Sequence, residues 1–230
     1  MRLLGGGGDE APHVSKYTRL DDDLHAYLVA HSDRQDPVLA RVQAETEAMG
    51  DISRMQVAPD QGAFMTVLTR AVGAREALEV GTFTGYSAIS IARGLGEGGR
   101  LICCELSEEY AETAAANIEA AGVGERVEIR VGPALETLRA MPERELFDIA
   151  FIDADKVSYP AYYEEALLRL RSGGLMLLDN VLMGGAVLSP TDHGDGPKAM
   201  AKLNAELVDD ERVDVAMTAI ADGITMLRKR

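Results

Sequence analysis

The chain has 230 residues, of which 47% are hydrophobic and 27% charged, and this composition is ordinary for a globular protein. Its 38 acidic and 23 basic residues give a formal net charge of −15, and no basic cluster is visible, so DNA or RNA is not expected as a partner. No apolar run reaches membrane-spanning length, so no membrane partner is expected either.

The chain is predicted to be one domain preceded by a tail. Residues 1–15 are expected to form a flexible tail, because they contain no apolar run of signal-peptide length. Residues 16–230 are assigned to a single α/β domain, since no linker long enough to mark a second domain is visible. Its first part, 16–50, is predicted to be a helical extension.

The first predicted elements are helices. Apolar positions at helical spacing predict two helices within 16–49, broken near Asp36 and Pro37. A loop is predicted over 51–61. A further helix is predicted over 61–73, because a Pro-Asp start signal precedes it and a glycine ends it.

From residue 76 the pattern alternates between short apolar runs and helix-like segments. The apolar runs are 76–80, 100–104, 127–131, 148–152 and 174–178. The helix-like segments lie near 85–95, 107–121, 134–140 and 159–171. This alternation predicts a doubly wound, mainly parallel sheet with helices on both faces. The last two runs, 213–220 and 224–229, are predicted to form an antiparallel hairpin, because three residues cannot make a parallel crossover. The predicted fold class is therefore α/β with a seven-stranded mixed sheet.

The only cysteines, Cys103 and Cys104, are adjacent inside one of these runs. Neighbouring strand residues point to opposite faces of a sheet, so the two thiols should be buried and not bridged to each other. A chain without spaced cysteines is predicted to be cytoplasmic.

A glycine-containing loop follows the first predicted strand in LEVGTFTGYSAISIA (78–92). Gly81 and Gly85 would let the backbone approach a ligand and turn from strand to helix. The dinucleotide fingerprint G-x-G-x-x-G is absent because residue 83 is Phe, and a simple strand-to-helix turn is an alternative that this loop alone leaves open. Glu79 would repel a pyrophosphate and favour a ligand with an ammonium or sulfonium group.

A second carboxylate, Glu105, ends the next strand about two dozen residues after the loop. An acidic residue at this spacing accepts hydrogen bonds from ribose hydroxyls, although a solvated charge at the start of a helix is an alternative role. Two carboxylates around one glycine loop suit S-adenosylmethionine, which has a ribose, a cationic amino-acid end and a sulfonium.

Oxygen-bearing side chains lie where two later strands are predicted to end. FDIAFIDADK (147–156) closes a strand at Asp153, and GLMLLDN (174–180) closes the next at Asp179 and Asn180. Parallel neighbours bring these ends to one edge of the sheet, where they would form a site for Mg²⁺ or a related cation such as Mn²⁺ or Ca²⁺. Taken singly, the Asp-Asn pair is also a common turn and Asp153 a common helix cap.

Lys156 lies three residues after Asp153. A lysine near a divalent cation is pushed toward its neutral form, which would let it act as a general base near neutral pH. The alternative is a surface lysine paired with Asp155.

Six segments occur in order along the chain: MQVAPDQG, LEVGTFTGYSAISIA, ICCELSEEYAETAAANIEAAG, VGPALETL, FDIAFIDADK and LLDNVL. Together they resemble the cation-dependent O-methyltransferases of the caffeoyl-CoA and catechol type, in particular the small bacterial members, from about residue 16 to the C-terminus. The resemblance implies a Rossmann-like, seven-stranded methyltransferase sheet with a reversed last hairpin. It also implies a homodimer with its N-terminal helices near the substrate entrance.

The resemblance implies roles for individual residues. The S-adenosylmethionine site would be lined by Val57, Glu79, Gly81, Thr82, Ser87, Glu105, Ala134 and Asp153. Glu79 would meet the methionine part, Glu105 the ribose and Ala134 the adenine. The implied metal ligands are Asp153, Asp179 and Asn180, and the implied catalytic residues are the base Lys156 and Asp153.

The resulting hypothesis is methyl transfer from S-adenosylmethionine to a small vicinal-dihydroxy aromatic. Mg²⁺ would chelate both oxygens, Lys156 would take the proton, and the methyl group would move in line. The main alternative is an NAD-type oxidoreductase on a related sheet, which Phe83 and Glu79 disfavour. A nucleic-acid methyltransferase is disfavoured by the net charge, and a non-catalytic binding protein by the complete set of metal ligands with Lys156.

The sequence does not identify the acceptor. Bacterial relatives often carry Trp after the Asp-Asn-Val-Leu run, but Met183 follows it here and the chain has no Trp. An aromatic wall is therefore expected from Tyr159 or Tyr17. The loop 184–198 and the N-terminal helices are expected to shape the pocket.

Overall fold

The computed structural model describes residues 18, 20–32 and 36–230, so the predicted tail over 1–15 and Tyr17 lie outside the described residues. The α-helices are α1 Asp22–His31, α2 Pro37–Glu47, α3 Pro59–Ala71, α4 Tyr86–Gly94, α5 Glu108–Ala120, α6 Ala134–Ala140, α7 Tyr159–Arg169 and α8 Asp195–Val208. The strands are β1 Glu76–Val80, β2 Arg100–Glu105, β3 Val127–Val131, β4 Phe147–Ile152, β5 Leu170–Asp179, β6 Val213–Thr218 and β7 Ile224–Lys229. Short 3-10 segments cover Gly50–Met55, Gly124–Arg126, Lys156–Ser158, Met183–Leu188 and Pro190–Asp192.

The seven strands form one sheet in the order β3-β2-β1-β4-β5-β7-β6. Strands β1 to β5 pair in parallel, whereas β7 is antiparallel to both β5 and β6. This arrangement confirms the predicted α/β fold with a reversed C-terminal hairpin.

The chain changes direction across the sheet between β1 and β4. Strands β2 and β3 continue on one side of β1, while β4 and β5 lie on the other side. The loops that follow β1 and β4 therefore diverge and leave a crevice at the carboxyl edge of the sheet, where ligands bind in such folds. Gly81 comes directly after β1 and Asp153 directly after β4, so both predicted sites lie at this crevice.

Both faces of the sheet are covered by hydrophobic side chains. Ala150 of β4 and Cys104 of β2 belong to one buried cluster, whereas Phe151 and Cys103 belong to the other. This alternation follows from the two-residue period of a strand. It confirms that the two cysteines are buried, free and on opposite faces.

The N-terminal region confirms the two predicted helices and the break between them. Asp36 caps α2, because its carboxylate accepts a hydrogen bond of 2.8 Å from the Leu39 N–H, and Pro37 occupies the first turn. None of the side chains of α1 is buried. Among the residues that the structure describes, no helix is long and apolar enough to cross a membrane.

Several predicted boundaries were wrong. The segment predicted as a loop over 51–61 contains the 3-10 segment Gly50–Met55, and α3 already begins at Pro59 because proline is preorganised for a first helical turn. Strand β5 begins at Leu170 rather than 174, with Gly173 at φ +74° inside it. The pairing with β4 has an irregularity between Phe147 and Ile149, so β5 extends past a bulge that breaks its apolar run.

The loop predicted over 184–198 was also wrong at its C-terminal end, because α8 begins at Asp195. Gly196 and Pro197 lie in the first turn of this helix, and Gly194 is its N-cap. Its buried residues Met200, Leu203 and Leu207 have helical spacing and pack against the core, so tertiary packing holds the helix.

Candidate active site

One cavity of about 950 Å³ opens at the crevice between β1 and β4. Its wall draws residues from 54–57, 80–87, 104–107, 132–135 and 153–158, together with Tyr110, Tyr162, Asn180, Met183 and Asp222. A cavity of this size lies within the range of sites for cofactors and drug-sized ligands. Most of the predicted cofactor and metal residues therefore lie at one large opening, whereas Glu79 and Asp179 are buried and are not part of its wall.

The glycine loop touches the segment after β4. Gly81 has φ +91°, and a Cβ atom placed on it would lie 1.9 Å from the backbone oxygen of Asp153. Only glycine tolerates both the left-handed backbone and this approach. Gly85 also has φ +91° and lies 3.2 Å, measured from an added Cβ, from Ala114, so it packs the start of α4 against α5. These contacts fix the loop at the cavity wall.

The Glu105 carboxylate holds the same loop from the other side. One oxygen accepts hydrogen bonds from the backbone N–H groups of Thr82 at 3.0 Å and Phe83 at 2.8 Å. The other oxygen accepts one from the Ser107 N–H at 2.9 Å. The side chain is buried but lines the cavity, so the alternative of a solvated charge at a helix start was wrong. The cap of α5 is Ser107 instead.

Glu79 is fully buried, and neither of its carboxylate oxygens has a hydrogen-bond partner among the described residues. Burial raises the pKa of Glu79 to about 7, although the neighbouring polar groups of Ser87, Cys103 and Thr82 partly oppose this. An unpartnered buried carboxylate is costly. A cationic ligand group beside Glu79 would relieve that cost and hold the carboxylate in its charged form.

The remaining predicted cofactor residues lie at the cavity. Seven of the eight line its wall: Val57, Gly81, Thr82, Ser87, Glu105, Ala134 and Asp153. Glu79 is the exception, since it is enclosed next to Ser87 and Thr82 rather than exposed in the wall.

The three predicted metal ligands follow neighbouring strands. Asp153 comes directly after β4, and its N–H donates to the Val80 carbonyl at 2.8 Å, which ties it to the glycine loop. Asp179 is the last residue of β5 and is buried, and its carboxylate accepts a hydrogen bond of 2.7 Å from the Asn180 N–H. Asn180 has φ +54°, a left-handed backbone that Asn tolerates better than most residues, and it lines the cavity. Asp179 and Asn180 therefore form the turn that was one interpretation of the pair. The same turn leaves the carboxylate of Asp179 close enough to that of Asp153 for their charges to interact.

The negative charge of Asp153 and Asp179 is only partly balanced by Lys156. Burial and the charge of Asp153 raise the pKa of Asp179 to about 7, while Gln61, Asn180 and Lys156 oppose the shift. A divalent cation would remove the repulsion between the two carboxylates, and carboxylate and carboxamide oxygens are hard donors suited to Mg²⁺. No group of three or more His, Cys, Asp and Glu residues suited to a metal occurs in the described part of the chain, so Asn180 would have to serve as the third protein ligand.

Lys156 lies at the same point. Its Nζ donates to Asp153 Oδ1 at 2.9 Å and to the Tyr159 hydroxyl at 2.6 Å, and only 14% of the side chain is exposed. The alternative of a surface pair with Asp155 was wrong. The Asp155 carboxylate accepts hydrogen bonds from the Tyr162 hydroxyl at 2.7 Å and from a backbone N–H of the following turn at 3.1 Å.

The expectation that Tyr159 forms an aromatic wall was wrong. Tyr159 is fully buried in the hydrophobic cluster on one face of the sheet and does not line the cavity. Its position at the first residue of α7 turns the ring toward the ends of the strands, where its hydroxyl contacts Lys156. Tyr162, one turn later, lines the cavity instead.

The segment between α2 and α3 also contributes to the wall, through Arg54, Met55 and Gln56. These roles were missed, although the motif MQVAPDQG that begins at Met55 was the available signal. Among the described residues, α1 and α2 do not line the cavity, and the residues of 184–198 do not either. The described residues of these elements therefore do not form the cavity wall, and a role of theirs in shaping the substrate entrance stays a prediction.

Known proteins resemble this chain over most of its length. A family model described as O-methyltransferase matches residues 29–230. The catechol O-methyltransferase of Mycobacterium tuberculosis is 40% identical over 181 residues, which cover 79% of this chain and 81% of that protein. The probable caffeoyl-CoA O-methyltransferase 2 of Dictyostelium discoideum is 32% identical over 207 residues, which cover 88% of this chain and 90% of that protein. The crystal structure of the O-methyltransferase from Bacillus cereus in complex with SAH superimposes with a TM-score of 0.82 at 35% identity, covering 90% of this chain and 97% of that one.

Proposed function

Since this chain belongs to the O-methyltransferase family and is an S-adenosylmethionine-dependent enzyme of the caffeoyl-CoA and catechol type, we propose that it needs a divalent cation and methylates a small aromatic with two adjacent hydroxyls. The predicted enzyme class is confirmed, and the NAD-type oxidoreductase is set aside. The observation that carries the proposal is that Asp153 and Lys156, which line the same cavity as the glycine loop, lie beside the buried carboxylate of Asp179.

The residues that would hold the cation are Asp153, Asp179 and Asn180. Their support is the buried, partly uncompensated charge of the two carboxylates and the hard-oxygen chemistry of all three side chains. When bound, a divalent cation lowers the pKa of acceptor hydroxyls and positions two adjacent oxygens.

Glu79 and Glu105 would hold S-adenosylmethionine. Glu79 would pair with the cationic amino-acid end, which supplies the partner that its buried carboxylate lacks. Glu105 would accept a ribose hydroxyl. A carboxylate has about four acceptor sites, and three backbone N–H groups occupy the Glu105 carboxylate, so one site is left for the ligand.

Lys156 would act as the base. The acceptor O–H bond breaks, its proton moves to the lone pair of Lys156 Nζ, and its electron pair stays on oxygen. That oxygen forms a bond to the methyl carbon of S-adenosylmethionine as the bond between sulfur and the methyl carbon breaks. The sulfonium becomes the neutral thioether of S-adenosylhomocysteine, so charge and atoms balance. Loss of the lysine should cost part of the roughly 10²- to 10⁴-fold that a general base supplies.

The acceptor class follows from the proposed metal site and from the similar proteins. A divalent cation held by these hard-oxygen donors would favour an acceptor with adjacent oxygens, and the similar proteins are named for catechol and caffeoyl-CoA. The net charge of −15 continues to disfavour nucleic acid as a substrate. A homodimer and a cytoplasmic location also remain part of the proposal.

The decisive experiment follows methyl transfer from labelled S-adenosylmethionine to a panel of aromatic diols. We expect vicinal diols to be methylated and matched monophenols and meta-diols to be poor acceptors. EDTA should abolish the activity, and added Mg²⁺ should restore it. Asp153→Ala should lose the metal response, and Lys156→Ala should lower kcat while S-adenosylhomocysteine still binds. Full activity after EDTA treatment, or equal rates for vicinal diols and monophenols, would contradict the proposal.

A further inference from the structure

The hydroxyl of Tyr159 lies at the junction of two strand ends and a lysine. Its side chain is fully buried, and no part of it lines the cavity. The hydroxyl lies 3.0 Å from the Ile152 carbonyl, at the end of β4, and 3.1 Å from the Asp179 carbonyl, at the end of β5. Lys156 Nζ is 2.6 Å from the same hydroxyl and 4.6 Å from the centroid of the ring.

These neighbours decide the direction of each hydrogen bond. Backbone carbonyls only accept, so the single phenolic hydrogen must point toward the Ile152 or the Asp179 carbonyl. The Tyr159 hydroxyl can then offer Lys156 only a lone pair of its oxygen. The lysine must therefore donate an N–H to Tyr159, and its own lone pair cannot be used in that contact.

The orientation of the lysine nitrogen follows from this. The amine nitrogen has four tetrahedral directions, one of which is its bond to Cε. Two more are fixed by the N–H bonds to Asp153 Oδ1 at 2.9 Å and to the Tyr159 hydroxyl at 2.6 Å. The fourth direction, which carries the lone pair when the amine acts as the proposed base, is then the only one left, on an amine that lines the cavity.

We propose that Tyr159 is a positioning residue that aims the lone pair of Lys156 at the acceptor hydroxyl. The inference rests on the proposed function of Lys156 as the base. Without the Tyr159 hydroxyl the amine keeps Asp153 as its one fixed partner and rotates about the Cδ–Cε and Cε–Nζ bonds. Proton transfer then slows, whereas cofactor binding does not change.

The test uses two acceptors that differ in acidity. Catechol must lose its proton to the base, whereas a nitrocatechol, whose more acidic hydroxyl is already ionised at the assay pH, needs the base far less. Tyr159→Phe should lower kcat for catechol roughly 10- to 100-fold, part of what a general base supplies, and should have little effect on kcat for the nitrocatechol. Its Kd for S-adenosylhomocysteine, measured by calorimetry, should match that of the unaltered enzyme.

A matched control comes from the same helix. Tyr163 is also buried, and its hydroxyl donates to Asp210 at 2.7 Å, but it does not line the cavity. Tyr163→Phe removes one phenolic hydrogen bond and should leave kcat for catechol and kcat for the nitrocatechol as they are in the unaltered enzyme. A loss of activity that comes only from lower stability would appear in both variants, whereas a loss of kcat for catechol alone would appear only in Tyr159→Phe.

A second variant covers the case in which Tyr159→Phe does not fold. Replacing Tyr159 by 4-aminophenylalanine offers one N–H to each of the two carbonyls, but its nitrogen is a poor acceptor for the lysine. It keeps the link between the strand ends and removes the contact with Lys156. The same acceptor-dependent loss of kcat is expected.

Lys156→Ala tests the base role of Lys156 separately from the positioning role of Tyr159. If Lys156→Ala shows the acceptor-dependent loss and the Tyr159 variants share it, the inference is supported. If Lys156→Ala shows it and the Tyr159 variants lose activity equally for both acceptors, or not at all, the positioning role is overturned while the proposed base stands. If the loss in Lys156→Ala does not depend on acceptor acidity, the base assignment fails and the inference fails with it.

Discussion

At the scale of single residues, the protonation of Glu79 should control cofactor affinity. Its pKa is raised to about 7 by burial, so below pH 7 the carboxyl group is mostly neutral and must lose a proton before it can pair with a cationic ligand. We expect the affinity for S-adenosylhomocysteine to fall by up to about tenfold per pH unit below 7 and to level off above it.

Calorimetry between pH 5.5 and 7.5 checks this. In that range the α-amino group of the ligand stays mostly protonated, because free α-amino groups lose their proton near pH 8. Two buffers of different ionisation enthalpy should reveal proton release on binding at pH 6. Glu79→Gln should bind more weakly and lose the pH dependence. If the affinity of Glu79→Gln still depended on pH, the dependence would belong to another group.

Gly81 provides a second prediction at this scale. Gly81→Ala forces a positive φ on a residue with a side chain and places its Cβ against the Asp153 backbone oxygen. Gly73→Ala is the matched control, because Gly73 has φ +64° but nothing within 4 Å of an added Cβ. The control should cost about 1 to 2 kcal/mol of unfolding free energy. Gly81→Ala should cost clearly more in urea denaturation and should abolish binding of S-adenosylhomocysteine; equal costs would show that the loop shifts freely.

The sequence predicted that the charged candidate residues lie close together, but not which buried contacts surround them. Asp153 and Lys156 follow a strand in an order that the parallel topology brings together. Tyr159 was misplaced because the sequence shows an aromatic residue near the site but not which way the ring turns. That direction depends on the packing of α7 against β4 and β5, which the local pattern does not encode.

At the scale of elements, Asp148 links the beginnings of three strands. Its carboxylate, on β4, accepts hydrogen bonds from the backbone N–H groups of Arg75 and Glu76 at the start of β1, and from Arg171 Nε of β5. These three donors hold the pKa of Asp148 below its usual value despite partial burial. Asp148→Asn should lower the free energy of unfolding at pH 7 by about 2 kcal/mol, because an amide N–H₂ replaces one charged acceptor.

The pH dependence has a definite sign. A carboxyl group whose pKa is lowered by folding stabilises the protein above its unfolded pKa of about 3.9, and this contribution is lost as the pH falls through the folded pKa. The stability difference between Asp148→Asn and the unaltered protein, measured by urea denaturation, should therefore be full at pH 7 and shrink below about pH 4. Asp214→Asn, in exposed ion pairs with Arg228 and Arg230, is the control and should change stability little at either pH. A difference independent of pH would mean that the charge of Asp148 plays no part.

Element prediction succeeded where the period was clean and failed where glycine interrupted it. The runs that became β1 to β4 are short, apolar and bounded by helices, so their positions were predicted to within about a residue or two. Helix α8 was missed because Gly194 and Gly196 suggested a loop, although Met200, Leu203 and Leu207 carry the helical period. The start of β5 was missed because its first residues lie beyond a bulge.

At the scale of the whole molecule, the order of the strands explains why the glycine loop and the proposed metal ligands lie at one edge of the sheet. The direction of the chain reverses between β1 and β4, and the two loops that part there carry the glycine turn and the proposed metal ligands. Sequence alone predicted both loops at one edge through the handedness of parallel crossovers. The segment around Arg54 and Met55 that also lines the cavity was not predictable in this way, because it precedes the sheet and reaches the site only through packing.

The remaining prediction concerns assembly. Helix α1 buries none of its residues, and Leu20, Leu24, Tyr27 and Leu28 form an exposed apolar stripe at helical spacing on and before it. A stripe of this kind is costly in water and suits the interface of the predicted homodimer, in which the same patch on two copies makes the contact. Leu24→Glu together with Leu28→Glu should convert a particle of twice the chain mass into a monomer in light scattering coupled to size exclusion. Val67→Glu, on the exposed side of α3, is the matched control and should leave the mass unchanged, since single exposed apolar residues are common on any surface. A monomeric unaltered protein, or a double variant that stays dimeric, would contradict an interface through α1.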